Sequence, residues 1–408
     1  MKQTLSDLCI KIGSGATPRG GKESYKAFGI PIIRSQNVRD YFFSVDGLAY
    51  IDETQAAQLD NVIMQSGDVL INITGDSVAR ACMAPDGYLP ARVNQHVAII
   101  RANPQKADGH YILYFLQKQK EHLLSIASSG GTRNALTKKM LEDLVIDLPP
   151  LSVQREIAGI LSAIDARIAN NKAINHHLEQ MAQAIFKSWF VDFEPFDGKQ
   201  PVSWTIGTVN DISVDVVCGK TPSTTVSEYF GEDIPFITIP DMHGVVYVTS
   251  TERSLSTAGA SSQSSKTVPA NSICVSCIAT AGLVALTSVP SQTNQQINTI
   301  VCKHEISPYF VYLTMVGMAD HIKMLGSSGS ATNNLNKGQF TKIELMVPDS
   351  SNMSGFDALV EPLFEVIKRN QKENILLAET RDALLPRLMS GELPKKTIKC
   401  CIYAHNVA

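Results

Sequence analysis

The sequence predicts an α/β (α+β) fold written twice: two globular domains, each followed by one long helix, with the two helices pairing antiparallel as a coiled coil about a pseudo-two-fold axis. Three observations lead there. Six sequence blocks recur in one order at a period near 200 residues. Each copy opens with short apolar runs of strand type and closes in one amphipathic stretch with heptad spacing. The chain has 408 residues, 44% hydrophobic and 18% charged, the composition of an ordinary globular protein of two or three domains.

The repeat comes first. Leu5-Ser-Asp-Leu, Thr17-Pro18 and Ile30-Pro31 recur as Val209-Asn-Asp-Ile, Thr221-Pro222 and Ile234-Pro235, the last two at an offset of 204. Gly67-Asp68-Val-Leu aligns with Ala270-Asn271-Ser-Ile at 203, and Asn94-Gln95 with Asn294-Gln295 at 200. Ser128 to Leu136 matches Ser327 to Leu335, and Pro149 matches Pro348, both at 199. Falling offsets mean small loop deletions between two copies of one fold. The implied division is a first head (1–150), a spacer helix (151–194), a linker (195–203), a second head (204–349), a second spacer helix (350–394) and a tail (395–408) expected to be unstructured.

Within the heads, Val69-Leu-Ile-Asn-Ile, His96 to Arg101, Ile234 to Ile239 and Ile297 to Cys302 have strand character, and one helical stretch is expected over 109–126 and again over 308–325. In the spacer, Ser152 is the expected cap, and Pro195 with Asp197-Gly198 ends the helix. Leu161, Ile164, Ile168, Asn171, Asn175, Leu178, Ala182, Ile185 and Trp189 step alternately by three and four. Adding 199 gives Val360, Leu363, Ile367, Asn370, Asn374, Leu377, Arg381, Leu384 and Leu388. Two separate surface helices with wet Asn side chains would share this spacing. The sharper expectation is one antiparallel pair in which partner numbers sum to 545, placing Asn171 on Asn374 and Asn175 on Asn370. Asn in a seam costs stability and fixes register. The same sum pairs Leu161 with Leu384, Ile168 with Leu377, Leu178 with Ile367 and Ile185 with Val360. Only Ile164 against Arg381 is awkward, and there the guanidinium is expected to snorkel into water.

Charge sets limits on function. Thirty-six basic and thirty-nine acidic side chains leave a net charge of −3, so any grip on nucleic acid must be local. The first head holds seven Arg and the second only Arg253, which assigns more of a phosphate grip to the first. No apolar run could span a membrane and the start lacks a secretory h-region, so a cytoplasmic place with reduced thiols is expected. Catalytic signatures are missing. There is no adenine-methyltransferase box, and Gly219-Lys220-Thr221 lacks the first glycine of a phosphate loop, where Val214 stands. Cys274-Val-Ser-Cys277 with Cys302 and His304 has a zinc-like look, but copy one carries Ile71-Asn-Ile-Thr74 at that strand, so no metal is expected.

Residues able to read base edges are polar groups on loops. In the first head they are Arg19, Arg34, Gln36, Asn37, Arg39, Arg80, Arg92, Asn94, Gln95, Arg133 and Asn134. In the second they are Lys220, Thr238, Asp241, His243, Gln292, Asn294, Gln295, Asn333, Asn334 and Lys337. The repeated Asn-Gln pair also suits an architectural turn.

Taken in order, these blocks are similar to the DNA-specificity subunits of type I restriction-modification systems. The resemblance is carried by Leu5-Ser-Asp-Leu to Pro18, Gly219 to Pro222, Gly67-Asp68-Val-Leu, Asn134-Ala-Leu-Thr to Gln154, Phe186-Lys-Ser-Trp-Phe-Val-Asp-Phe193 and Leu384 to Leu393, and covers 1 to about 394. The second copy departs where Pro149-Pro150 becomes Pro348-Asp349 and Gln154 has no clear counterpart. The resemblance implies a non-catalytic host-defence subunit in which each head is a target-recognition domain for half of a split site in double-stranded DNA. It implies helices that space the heads and dock two methyltransferase subunits, through which motor-nuclease chains join. S-adenosylmethionine, ATP and Mg²⁺ would then be bound by those partners and not by this chain. A helix of about 36 residues spans ~54 Å, enough for heads one turn of DNA apart at ~34 to 36 Å. A self-contained DNA-modifying enzyme and a scaffold with no DNA target are the competing readings.

Overall fold

The computed structural model describes residues 2–128, 134–327 and 334–392. The chain forms two compact units: Met1–Arg167 with Leu377–Ala408, and Ile168–Leu376. Each unit holds one head together with a segment of both long helices, Leu151–Phe190 and Ser350–Ser390. No helix among the described residues is long and apolar enough to cross a membrane.

In the first unit an antiparallel sheet runs in the order Cys9–Ser14, Val97–Ala102, Val69–Asn72, Ala81–Met83. A smaller mixed sheet runs Ala49–Ile51, Ile30–Ile33, Arg92–Val93, and Lys2–Thr4 pairs with Val145–Asp147. The second unit repeats this plan with Ser213–Cys218, Ile297–Cys302, Ile273–Ser276 and Val284–Thr287, extended by Tyr247–Val248. Its smaller sheet contains Arg253–Leu255, Ile234–Ile237 and Gln292–Thr293, edged by Phe230–Gly231. Local signals build these elements twice. Thr4 with Asp7 and Thr208 with Asp211 form the same capping box at the start of both heads.

The sheet register corrects the sequence alignment at one place. Val69 faces Ile100 in one sheet and Ile273 faces Ile300 in the other, so the Gly67 block is offset by 204 and not by 203. Left-handed backbone at Gly67 and Gly75 recurs at Asn271 and Ala279, again at 204. Cys274 therefore corresponds to Leu70 and Cys277 to Ile73. A slip of one residue moves every side chain of a strand to the opposite face, and a run as uniformly buried as Val69 to Ile73, Asn72 included, carries no alternation to reveal it. The helical stretch of each head is likewise two helices. Gly109–Lys118 and Lys120–Ser128 break at Gln119, and Pro308–Gly317 and Ala319–Ser327 break at Met318.

The first long helix starts before its expected cap. The first begins at Leu151, so Ser152 lies inside its first turn and is not the cap. Gln154 is buried, with Oε1 accepting from Asp108 N at 3.1 Å and Nε2 donating to Pro149 O at 2.9 Å. Its counterpart does exist. Met353, 199 residues on, is equally buried, and its Sδ accepts from Ser307 N, the residue equivalent to Asp108. Asp349, in place of Pro150, accepts from Asn352 N, Ser351 Oγ and Ser203 Oγ, and these bonds hold its carboxyl at about 2.

In the second unit the helix segments pair antiparallel in the expected register. Asn171 Nδ2 donates to Asn374 Oδ1 at 3.0 Å, and Asn370 Nδ2 donates to Asn175 Oδ1 at 2.9 Å. Both pairs sum to 545. Asn171 Nδ2 also donates to Glu373 Oε2, and Asn175 Nδ2 donates to the carbonyl of Ile367. Leu178, Ile185, Val360, Leu363 and Ile367 pack in the apolar core around them. Phe186, Trp189 and Phe190 of the motif noted above pin the second head to its helix. Phe190 lies 4.8 Å from Phe310, 4.9 Å from Phe356 and 5.4 Å from Trp204, ring centre to ring centre.

In the first unit Leu161 and Leu384 lie in one core. Arg381 departs from expectation there. It is 8% exposed, so its guanidinium is dry and not snorkelling. Nη1 binds Asp165 Oδ1 at 2.7 Å, Nε binds Asp382 Oδ1 at 2.9 Å, and the planar group stacks 3.5 Å over the centre of the Tyr41 ring. Asp165 stands one position beside the seam and had drawn no notice in the sequence.

The Asn pairs make a testable statement about cost. Asn175→Leu alone strands the buried amide of Asn370 and is expected to lower unfolding stability by roughly 1–3 kcal/mol. Asn175→Leu with Asn370→Leu should recover most of that loss in urea melts, because no buried donor is then left without an acceptor.

Candidate nucleic-acid interface

Several of the expected base readers are spent inside the fold, and the repeat shows which. Asn37 is buried, with its amide donating to Ser44 O at 2.9 Å and its Oδ1 accepting from Arg34 N. Asp241 sits at the equivalent turn and accepts from Thr238 N and Thr238 Oγ1, both at 2.7 Å. Arg92 donates to Ala56 O and pairs with Asp60 at 2.7 Å. Its counterpart Gln292 donates to Ala260 O, the residue equivalent to Ala56. Asn94 and Asn294 each accept from the backbone two residues on, closing identical turns. Asn37, Arg92, Asn94, Thr238, Asp241, Gln292 and Asn294 are thus engaged in bonds that hold the scaffold together. Arg34 is partly committed as well, donating to Gly47 O and lying 5.2 Å over the Tyr25 ring.

What remains at the surface does not repeat. In the first head Ser35, Gln36, Arg39, Thr74, Gly75, Asp76, Ser77, Arg80 and His96 line an open concavity of about 460 Å³. It gathers three sequence-derived candidates, Gln36 and Arg39 from one loop and Arg80 from another, with the Gln36 amide donating to Asp46 O and Gly47 O at 3.1 Å. Among the described residues neither Arg39 nor Arg80 is paired with a carboxylate. Thr74 Oγ1 lies 2.7 Å from His96 Nδ1, which fixes the ring at the wall. Asn134 joins the rim, since its carbonyl accepts from Gly75 N at 3.1 Å. Chemically this is a mixed donor and acceptor surface. Arginine suits guanine, glutamine suits adenine, and an exposed carboxylate such as Asp76 accepts from the cytosine amino group.

The second head keeps the scaffold and replaces the lining. The positions of Ser35, Gln36, Arg39, Thr74 and His96 are taken by Ile239, Pro240, His243, Ile278 and Gln296. Its exposed candidates are Lys220, His243, Gln295, Asn334 and Lys337. Thr221 Oγ1 donates to Gln295 Oε1 at 2.7 Å, which sets Gln295 beside Lys220. Gly219 before it is a contact glycine, since a Cβ there would fall 2.1 Å from Asn294 O, as one on Gly15 would fall 2.0 Å from Val93 O. Arg19 and Gln95 are exposed in the first head, apart from the lining, and Arg133 and Asn333 lie outside the described residues.

Comparison with known proteins settles the family. Residues 1–180 and 201–376 both match the model of the type I restriction modification DNA specificity domain. The chain belongs to that family. The HindI type I restriction enzyme specificity subunit of Haemophilus influenzae is 36% identical over 352 residues, covering 69% of this chain and 76% of the relative. The MjaIX specificity subunit of Methanocaldococcus jannaschii is 26% identical, covering 94% and 91%. The fold resembles the crystal structure of the type I restriction-modification S subunit from M. genitalium, with a TM-score of 0.61, 17% identity and 95% of both chains covered.

As a DNA specificity chain, this protein confers sequence recognition and is not a catalyst by itself. Cys274, on the strand Ile273–Ser276, and Cys277, just after it, are buried beside Thr299 and Asn298, and burial pushes their thiols up to about 12 and about 11. His96, Thr74 and Asp76 escaped sequence reasoning. The signal for His96 was its place directly after Asn94-Gln95.

Two classes of substitution should separate cleanly. Arg39→Ala and Arg80→Ala are expected to leave the melting temperature unchanged, and each lowers the slope of log K against log salt by about 0.9 if it neutralises a phosphate. A contact to a base edge would leave that slope alone and relax one position of the target by ~1–3 kcal/mol. Arg92→Ala should do neither and instead lower stability by about 1–3 kcal/mol.

Proposed function

We propose that this chain is the recognition component of a type I restriction-modification complex and reads an asymmetric, bipartite site in double-stranded DNA, one half with each head. The observation that carries the reading is the division of labour between copies: paired residues such as Asn37 with Asp241 build the fold, while the unpaired set around Arg39 and Arg80 faces solvent. Two copies of one scaffold with different surfaces suit a target whose halves differ.

The long helices act as the spacer and as the docking surface for two methyltransferase subunits, with motor-nuclease chains joining through these. Support comes from Met181, Leu359 and Leu376, apolar side chains 51%, 47% and 63% exposed on the helix segments of the second unit, which a docked partner would cover. S-adenosylmethionine, ATP and Mg²⁺ belong to those partners in this scheme, and the complex works on DNA in the cytoplasm.

The test is to purify the chain alone and with the products of neighbouring genes, then to map methylated bases genome-wide. A split methylated motif only when the neighbours are present is expected. Methylation by the isolated chain would overturn the reading in favour of a self-contained enzyme, and no motif with no selective DNA binding would favour a scaffold. Replacing residues 204–349 with another head should change one half of the motif and leave the other.

A further inference from the structure

We infer that Arg381, on the C-terminal helix, is a positioning residue for the DNA-reading surface of the first head, acting through Tyr41. This rests on the reading of the Arg39–Arg80 concavity as that surface. Tyr41 occupies the tip of the loop that follows Ile30–Ile33, in left-handed backbone at a φ of 69°. A tyrosine there is strained, and something must hold it. Two contacts do so. Its N–H donates to Ala81 O at 2.9 Å, tying the loop to the residue directly after Arg80. Its ring lies under the Arg381 guanidinium at 3.5 Å, with the Tyr114 ring 6.3 Å away.

Arg381 is itself held from several sides. Asp165 and Asp382 bind it, and Tyr114 Oη donates to the second oxygen of Asp165 at 2.5 Å. Tyr41 Oη reaches Asp382 at 3.4 Å. Burial raises the Tyr41 and Tyr114 hydroxyls far above the usual tyrosine value, so both rings stay neutral. The guanidinium is thus a rigid plate, and Tyr41 rests against it. Arg39 stands two residues before Tyr41 and Arg80 one residue before its backbone partner, so both cations of the concavity are placed by the same clasp.

The repeat strengthens the argument. The positions equivalent to Asp165 and Arg381 in the second unit are Phe364 and Ala182, both buried in the apolar core. An apolar pair therefore suffices to build this joint. The charged version appears only in the head whose rim carries two arginines. In the second unit the C-terminal helix grips its head otherwise, with Gln371 Oε1 accepting from Tyr247 N at 3.0 Å.

The experiment uses the full chain assembled with its partner subunits and measures binding to the target and to duplexes substituted base by base in each half. Arg381→Met, apolar and of similar volume, is expected to reduce discrimination roughly tenfold in the half read by the first head and to leave the other half unchanged. Tyr41→Leu should do the same while keeping the ion pair with Asp165, which guards against a folding defect in the first variant, and Tyr41→Phe should behave as wild type. Arg381→Met combined with Arg39→Ala should cost less than the two separate effects together, because both act on one contact. If Arg39→Ala and Arg80→Ala leave both discrimination in the two halves and the salt dependence of binding unchanged, the surface itself is misassigned. If they reduce either and Arg381→Met and Tyr41→Leu do not, the surface stands and the positioning role is wrong. An equal loss in both halves from Arg381→Met would also overturn it.

Discussion

Four asparagines in the seam between two long helices set the terms for the rest of the molecule. Asn171, Asn175, Asn370 and Asn374 bond to one another across the seam, and three of them are almost wholly buried. An apolar seam would be more stable but would tolerate sliding by a heptad, since every Leu or Ile can face another. Buried amides cannot slide without losing partners, and each orphan costs more than a packed methyl group gains. In the first unit Leu161 and Leu384 lie in one apolar core. There Arg381 is bonded to Asp165, and Tyr41 finds its plate against the guanidinium.

The joints between heads and helices show two solutions to one packing problem. In the second unit Phe364 meets Tyr309 stacked at 4.7 Å and Tyr312 edge-on at 5.6 Å. In the first, the same place is filled by a buried ion pair. Burying charge repays its desolvation only when every hydrogen bond is made, and here Asp165, Asp382, Tyr41 and Tyr114 together supply that shell. Directionality is what the charged joint adds. An aromatic pair fixes a distance, whereas a guanidinium with two carboxylates and a ring fixes an orientation.

The candidate interface obeys a rule that one copy alone would not have disclosed. A polar residue with the same hydrogen bond in both heads is part of the scaffold, as Arg92 and Gln292 are in gripping Ala56 and Ala260. A polar residue whose counterpart is apolar, as Thr74 is against Ile278, is free to serve recognition. Residue type pointed equally to Arg92 and Arg80, because both are arginines on loops or strand ends. Burial distinguishes them, at 5% exposed for Arg92, and burial depends on what else the chain brings near.

The sequence by itself determined the duplication, the α+β class, the two long helices and their antiparallel register. All of these rest on spacing along the chain, which a periodic pattern records directly. The tertiary structure decided the true offset of the Gly67 block, since the run from Val69 to Ile73 is buried on both faces and leaves no alternation to align. It decided that Met353 replaces Gln154, because a thioether can accept where an amide oxygen did, a match of position and not of type. It also decided that Arg381 is dry, since its partners Tyr41 and Asp165 lie 340 and 216 positions away in the chain. Contacts over such separations leave no periodic trace, and only the closed fold sets a cation against the ring and carboxylates that hold it.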